Sequence, residues 1–325
     1  MNKNLYNTLN KQELLEKLSS EKFERRTCSF YKYMYIEDPI SFRDELYLKF
    51  NQLNILGRIY IAKEGINAQI SIPENRWNKF EKLMYSIKYL QDIRINHAVE
   101  DGVSFYKLKI KVKNEIVTYD IDASDFDMKI TGQHLNSDQF NKEMDNPDSI
   151  VLDMRNNYES EVGRFEGAIL PNVETSRELL PEVTKLLEGK EDNQILLYCT
   201  GGIRCEKASS FLIKKGFKNV KQLEGGVINY ANDVKSKKIT SKFIGKNFVF
   251  DARLGESVTN DVLGKCYICN LPADKHADCN NQMCHILFLA CSDCAKDFEN
   301  CCSNKCKEIA ALPIEKQRIL RKIKK

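Results

Sequence analysis

The sequence predicts an α/β protein in three parts: a central domain built on a mainly parallel sheet, an amino-terminal α+β domain and a cysteine-rich carboxy-terminal domain. Three observations carry this. From about residue 135 to 235, apolar runs alternate with helical patterns, the rhythm of strands joined by crossover helices. Residues 27–113 follow a strand–helix–strand–strand–helix–strand order. Nine of the 12 cysteines fall between residues 266 and 306. A chain of 325 residues is long for one core. The expected domains are 1–125, 126–240 and 241–325.

In the first part, Lys11 to Leu18 reads as a short amphipathic helix. Thr27 to Tyr35 is rich in β-branched and aromatic residues and reads as a strand. Phe42, Leu46, Phe50 and Leu53 recur at helical spacing, as do Trp77, Phe80, Met84 and Ile87. Between those helices, Ile55 to Ala62 and Ala68 to Ile72 read as strands around a Lys63-Glu64-Gly65-Ile66-Asn67 turn. This order suits a small ferredoxin-like domain. In its expected last strand, Leu108, Ile110 and Val112 alternate with Lys107, Lys109, Lys111 and Lys113, so four lysines share one face. That row reads either as a solvated strand face or as a track for nucleic-acid phosphates. The tail from Lys316 to Lys325, with six basic residues in ten, is a second basic stretch of the same kind.

The central part holds the most informative stretch. Ile195 to Tyr198 reads as a buried strand ending at Cys199; Thr200, Gly201, Gly202, Ile203, Arg204 and Cys205 follow, and Glu206 to Lys214 has helical composition. A cysteine at a strand end, ringed by backbone N–H groups over a helix N-terminus, is favoured as thiolate, the nucleophilic form. Cys199 is the expected nucleophile at the entrance of the ring, with Arg204 shaping the loop and Cys205 either starting the helix or resolving an oxidised Cys199. The spacing is Cys-x4-Arg, one residue tighter than the Cys-x5-Arg ring with which cysteine phosphatases hold a phosphate. It resembles the active loop of rhodanese-type domains and suits a single sulfur or oxygen carried on the cysteine. Ile150 to Asp153 reads as a further strand. Val162 to Ala168 and Leu223-Glu-Gly-Gly-Val227 also resemble rhodanese signatures, and Asp153, Arg155 and Glu159 are expected to form a structural ion-pair network.

The cysteines beyond residue 260 come in pairs: Cys266-x2-Cys269, Cys279-x4-Cys284, Cys291-x2-Cys294 and Cys301-Cys302-x3-Cys306. Two-residue gaps let both thiolates face one tetrahedral ion, and zinc suits four sulfurs. One interleaving puts Cys266, Cys269, Cys291 and Cys294 on one ion and Cys279, Cys284, Cys302 and Cys306 on another, with His276 or Cys301 as substitutes. An iron–sulfur cluster is the rival reading.

Composition limits the remaining classes. The hydrophobic share of 42% is ordinary for a soluble protein, and no run approaches the ~20 apolar residues of a membrane span. Met1-Asn-Lys-Asn-Leu-Tyr-Asn lacks the apolar core of a signal peptide, so a cytoplasmic location is expected. Oligomeric state is not legible. A net charge of +4 is too small to establish nucleic-acid binding. The four histidines, His97, His134, His276 and His285, form no evident iron triad with a carboxylate. No flavin or nicotinamide motif is present, since Leu223 to Val227 lacks the Gly-x-Gly-x-x-Gly spacing.

Four stretches and the cysteine pairs together resemble a known family, the rhodanese-domain tRNA wobble-uridine 5-hydroxylases. The stretches are Ser29-Phe-Tyr-Lys-Tyr33, Glu64-Gly-Ile-Asn-Ala-Gln-Ile70, Tyr198-Cys-Thr-Gly-Gly-Ile-Arg-Cys-Glu-Lys-Ala208 and Phe243-Ile-Gly-Lys-Asn-Phe-Val-Phe-Asp251. The resemblance runs over about residues 25 to 315. It implies conversion of uridine 34 in the tRNA anticodon loop to 5-hydroxyuridine, with molecular oxygen as co-substrate and Cys199 as the active cysteine. A persulfide-carrying sulfurtransferase uses the same loop and is the alternative; a zinc-containing RNA-binding module is a third reading. Oxygen carried on Cys199 as a sulfenic species is one way to reach uridine C5.

Overall fold

Asn10 and Glu13 form a capping box, each side chain accepting from the other's backbone N–H, and α1 (Lys11–Ser19) follows. The computed structural model describes residues 5–323. Next come β1 (Arg25–Tyr33), α2 (Pro39–Gln52), β2 (Leu56–Ala62), β3 (Gly65–Pro73), α3 (Trp77–Ser86), β4 (Asn96–His97) and β5 (Leu108–Val112). The sheet order is β4-β1-β3-β2-β5. The first four strands pair antiparallel in the ferredoxin-like arrangement, and β5 adds parallel to β2. The lysine-bearing strand is therefore a fifth strand at the sheet edge. The fourth strand of the frame is Asn96–His97, too short to show a period. The β2–β3 turn is also tighter than expected: only Lys63 and Glu64 separate the strands, and Gly65 to Asn67 already belong to β3.

Alternation gives this sheet two faces. Phe30, Ile59, Ile61, Ile66, Ile70 and Ile110 pack with Phe42, Leu46 and Phe50 of α2 and Phe80 and Met84 of α3. Each such buried side chain contributes about 1.5–3 kcal/mol. The register puts Ser29, Tyr31, Asn67, Gln69, Arg58 and Tyr60 on the opposite face, continued by Lys109 and Lys111. No helix of this part covers that polar face; it forms one wall of a cleft against the central part.

The central part runs β6 (Gln133–Leu135), α4 (Ser137–Met144), β7 (Ser149–Asp153), α5 (Asn157–Ser160), β8 (Gly163–Phe165), α6 (Ser176–Leu186), β9 (Gln194–Tyr198), α7 (Ile203–Lys214), β10 (Asn219–Leu223) and α8 (Gly226–Lys237). Its sheet is parallel, in the order β6-β10-β9-β7. Every residue of β9 is buried, as a central strand covered on both faces requires. Ile195 and Leu197 enter one core with Leu179, Leu180 and Leu212, while Leu196 and Tyr198 enter the other with Phe140, Phe165 and Tyr230.

Val117 and Tyr119 already pack in the central core, ahead of residue 125. Past residue 240, β11 (Phe243–Asn247) pairs with β8 on one side and β12 (Glu256–Ser257) on the other. The remainder holds β13 (His276–Asp278), β14 (Leu287–Leu289), α9 (Ser292–Asp297), α10 (Asn304–Ala310) and α11 (Ile314–Ile323). Its small core is largely cysteine: Cys279, Cys301 and Cys306 with Phe288 and Ala290. The last two lysines of the basic tail, Lys324 and Lys325, lie outside the described residues. Among the described residues no helix is long and apolar enough to cross a membrane.

Candidate active site and cysteine quartets

β9 delivers Cys199 to the carboxyl end of the parallel sheet, where such folds place ligands. The helix beyond the loop starts at Ile203, earlier than composition indicates, so Arg204 and Cys205 lie in its first turn. The Gly202 N–H donates to Cys199 Sγ at 3.1 Å. Cys199 is 0% exposed, so its sulfur lies at the base of the ring and not at the entrance. The chain folds back over the sulfur at Gly201 and Gly202, and Thr200, Gly201, Ile203 and Arg204 form the rim that meets the cleft. Gly202 has φ +96, and a Cβ there would stand 2.8 Å from the Tyr31 hydroxyl overhead.

Burial by itself pushes the Cys199 thiol up. The Cys205 thiol, the Arg204 guanidinium and the backbone N–H groups of Cys205 and Arg204 outweigh it, bringing the group down from 9.0 to about 6. Cys205 moves the other way: burial, then its bond to the Cys199 sulfur, holds it well above 9.0. Cys205 is thus held as a buried thiol whose presence lowers the Cys199 group, a part beyond starting the helix.

The expected network of Asp153, Arg155 and Glu159 divides into two pairs. Arg155 forks onto Asp153 at 2.8 and 2.7 Å, and Asp153 also accepts from Tyr198 and Ser160. Glu159 turns to the loop, binding Arg204 through both guanidinium nitrogens at 2.5 and 2.7 Å and accepting from the Thr200 hydroxyl at 3.0 Å. Arg204 therefore shapes the loop through Glu159 and Thr200, while its own carbonyl accepts from the Tyr119 hydroxyl. Beneath the loop, the N–H groups of Val227 and Ile228 bond the carbonyls of Cys199 and Thr200. Gly226 lies against the same backbone: at φ +65, a Cβ would stand 2.5 Å from the Cys199 carbonyl oxygen and 2.8 Å from the nitrogens of Gly201 and Gly202.

The cleft above the rim has a volume of about 560 Å³, within the roughly 300–1,000 Å³ of small-ligand sites. The amino-terminal sheet holds the loop directly. Tyr33 donates to the Ile203 carbonyl at 3.3 Å and Asn96 to the Gly201 carbonyl at 3.3 Å. Lys207 of α7, fully buried, bonds Glu64 at 3.0 Å and Glu115 at 2.6 Å. Lys113 and Arg58 line the cleft. Lys109 and Lys111 extend the basic row outward, and Lys111 above all, then partial burial, Lys107, Arg58 and Lys113, lower the Lys109 ammonium pKa. Lys107 is half-buried, its ammonium 5.3 Å from the Tyr106 ring.

Two cysteine quartets form in the last part. The ligand atoms of Cys266, Cys269, Cys291 and Cys294 all lie within 4.8 Å of one another, as do those of Cys279, Cys284, Cys302 and Cys306. These sets coincide with the interleaving read from the gaps. The Cys269–Cys291, Cys284–Cys302 and Cys302–Cys306 sulfurs are 3.7, 3.7 and 3.6 Å apart. A tetrahedron with Zn–S bonds of about 2.3 Å has an edge of about 3.8 Å. Each quartet can hold a metal ion, and an all-sulfur set of this size fits zinc. Cys301 and His276 stand outside both quartets; the His276 ring packs edge-on to Phe248 at 5.0 Å.

Sequence reading missed Glu159 as the partner of Arg204, and also Tyr31, Tyr33, Glu64, Glu115, Tyr119, His134, Glu206 and Lys207. The signal for two of them was available. Tyr31 and Tyr33 lie two apart on a strand, hence on one face, and the core pattern already assigns the other face to Cys28 and Phe30.

A strand-borne Cys-x4-Arg ring at the carboxyl end of a parallel sheet defines a rhodanese-type domain, and residues 136–233 match the rhodanese-like domain model. Residues 25–116 match the model of the UPF0176 acylphosphatase like domain and residues 244–307 that of the rhodanase C-terminal region. Three relatives, all named tRNA uridine(34) hydroxylase, span nearly the whole chain. That of Photorhabdus laumondii is 46% identical over 98% of this chain and 91% of its own. Those of Pectobacterium carotovorum and Leptospira interrogans are each 47% identical over 98% of this chain, covering 90% and 87% of their own lengths. The chain belongs to the tRNA uridine(34) hydroxylase family.

Proposed function

We propose that this protein hydroxylates uridine 34 of tRNA at C5, with molecular oxygen as co-substrate and Cys199 as the reacting residue. The observation that carries the reading is the joining, in one cleft, of a depressed-pKa cysteine loop to a polar sheet face that runs out into lysines. Membership of the tRNA uridine(34) hydroxylase family supports hydroxylation at that uridine. A wobble uridine is unpaired in its loop, so its base enters a pocket without breaking a pair.

Cys199 is the nucleophile, kept as thiolate by Cys205, Arg204 and the loop N–H groups. Glu159 positions Arg204 and Thr200, and Gly226 lets α8 support the ring from below. Lys109, Lys111 and Lys113 contact phosphates of the anticodon arm, adding affinity with little base preference. One oxygen atom enters the C5–H bond and the other leaves as water, so each turnover draws two electrons from an external reductant. The amino-terminal part is the RNA contact, and the enzyme works in the cytoplasm with its tRNA. The two quartets would each hold a structural zinc ion, which supplies folding energy to a segment with little apolar core.

Nucleoside mass spectrometry of tRNA from a strain lacking the gene tests this. Loss of 5-hydroxyuridine derivatives is expected; loss of thiolated uridine in their place would make the protein a sulfurtransferase.

A further inference from the structure

Three polar side chains run in series from the cleft to the surface, and the scheme above uses none of them. Tyr31 lines the cleft with its hydroxyl beside Gly202, whose N–H holds the Cys199 sulfur. That hydroxyl donates to Glu206 Oε1 at 3.3 Å. The same Oε1 lies 2.6 Å from His134 Nε2, and Oε2 accepts from Gln222 at 3.1 Å. The Glu206 side chain is 14% exposed and that of His134 43%. A largely buried carboxylate thus joins a phenol in the cleft to an imidazole in contact with solvent.

Substitution at C5 of a uracil must break the C5–H bond: its electron pair re-forms the C5=C6 double bond, and the proton needs a base. Resting on the hydroxylase reading, we propose that Tyr31, Glu206 and His134 are the path by which the C5 proton leaves the cleft. The Tyr31 oxygen takes the proton from C5 as its own O–H proton passes to Glu206. Glu206 hands it to Nε2 of His134 in its neutral form, and the imidazolium so formed releases a proton to water. No electrons enter or leave the path, and each group returns to its starting state.

The surroundings agree with these roles. Burial first, then the Glu206 charge and those of Cys199 and Cys205, hold the Tyr31 phenol well above 10.0, so it relays in concert and does not ionise. Glu206 is pushed up by burial, but its bond to His134 and that group's charge, with Gln222 and Tyr31, bring it below the usual carboxylate range, so it rests as the carboxylate and holds a proton only in passing. His134 faces Glu206, Glu224 and Arg94. The Glu206 bond raises it against burial, and Glu224 pairs with Arg94 at 2.5 Å.

The test uses the purified full chain and tRNA carrying uridine or 5-deuterouridine. Tyr31→Phe should lower kcat by about 10²-fold, leave KM for tRNA unchanged and raise the deuterium effect on kcat. His134→Ala should lower kcat with the rate restored by added imidazole, because the side chain is partly exposed. Wild-type rates in both variants overturn the path. Slowed variants with an unchanged isotope effect and no imidazole rescue overturn it too, leaving these residues a structural role. A wild-type protein that yields no 5-hydroxyuridine overturns the hydroxylase reading and the path with it.

Discussion

Replacing Lys109, Lys111 and Lys113 together by Gln should flatten the salt dependence of tRNA binding. The structure selects this set: Lys109 and Lys111 are exposed on the sheet edge, and Lys113 lines the cleft with its ammonium 5.6 Å from the Tyr60 ring. Lys107 is left out because it is half-buried beside Tyr106. Each phosphate contact contributes about 0.7 to the salt slope on a single strand and about 0.9 on a duplex, so three contacts contribute about 2 to 2.7. Between about 50 and 200 mM salt, a slope difference of 2 means the wild type loses about 16-fold more affinity than the variant. Fluorescence anisotropy of labelled tRNA across that range reads the slope directly, and Cys199 alkylation by a small thiol reagent checks that the loop is intact. An unchanged slope, with alkylation also unchanged, would show that the row is only a solvated strand face.

Alkylation of Cys199 should rise with pH through about 6 and level off above it, since the thiolate is the reactive form and its pKa is depressed; Cys205→Ala, which removes the thiol that lowers it, should move the midpoint upward. A midpoint near 9 in the wild type would remove the activated thiolate. Gly226→Ala places a Cβ against Cys199, Gly201 and Gly202 at φ +65, costing about 1–2 kcal/mol for the backbone alone. A loop displaced by about 1 Å should then lower the rate by about 10²-fold, with circular dichroism unchanged; wild-type turnover would show that the ring does not need this support. Elemental analysis should find two zinc ions per chain, one per quartet, and chelation should raise hydrogen exchange beyond about residue 264 while β9 stays protected. Iron, or a metal-free protein with the same protection, would contradict this.

What the sequence discloses and what it hides divide by distance along the chain. The loop from Cys199 to Arg204 is contiguous, and the apolar run Ile195 to Tyr198 of β9 stands directly before it, so both are visible in ten residues. The two-residue gaps of Cys266–Cys269 and Cys291–Cys294 are equally local. The ferredoxin-like frame is legible through the helical spacing of Phe42 to Phe50 and Trp77 to Met84. Its fourth strand is not, because Asn96–His97 has no period, and the register of β5 depends on a pairing with β2 that local pattern does not encode.

The parts of the site that unite the domains were invisible for the same reason. Lys207 meets Glu64 and Glu115 from 143 and 92 positions away, and Tyr31 meets Glu206 from 175. Glu159 shows the opposite failure. Its nearness in sequence to Asp153 and Arg155 pointed to one network, whereas the fold turns it toward Arg204, 45 residues on. A buried guanidinium is costly without a partner, and the loop's arginine takes that carboxylate while Asp153 serves Arg155.

Incubating the purified protein and its Cys199→Ser variant with unmodified tRNA under oxygen-18 gas, with a reductant, tests the central claim most directly. Mass spectrometry should find labelled 5-hydroxyuridine at position 34 with the wild type and none with the variant. Unlabelled or absent hydroxyuridine with the wild type, or labelled product from Cys199→Ser, would contradict an oxygen-dependent hydroxylation that runs through this cysteine.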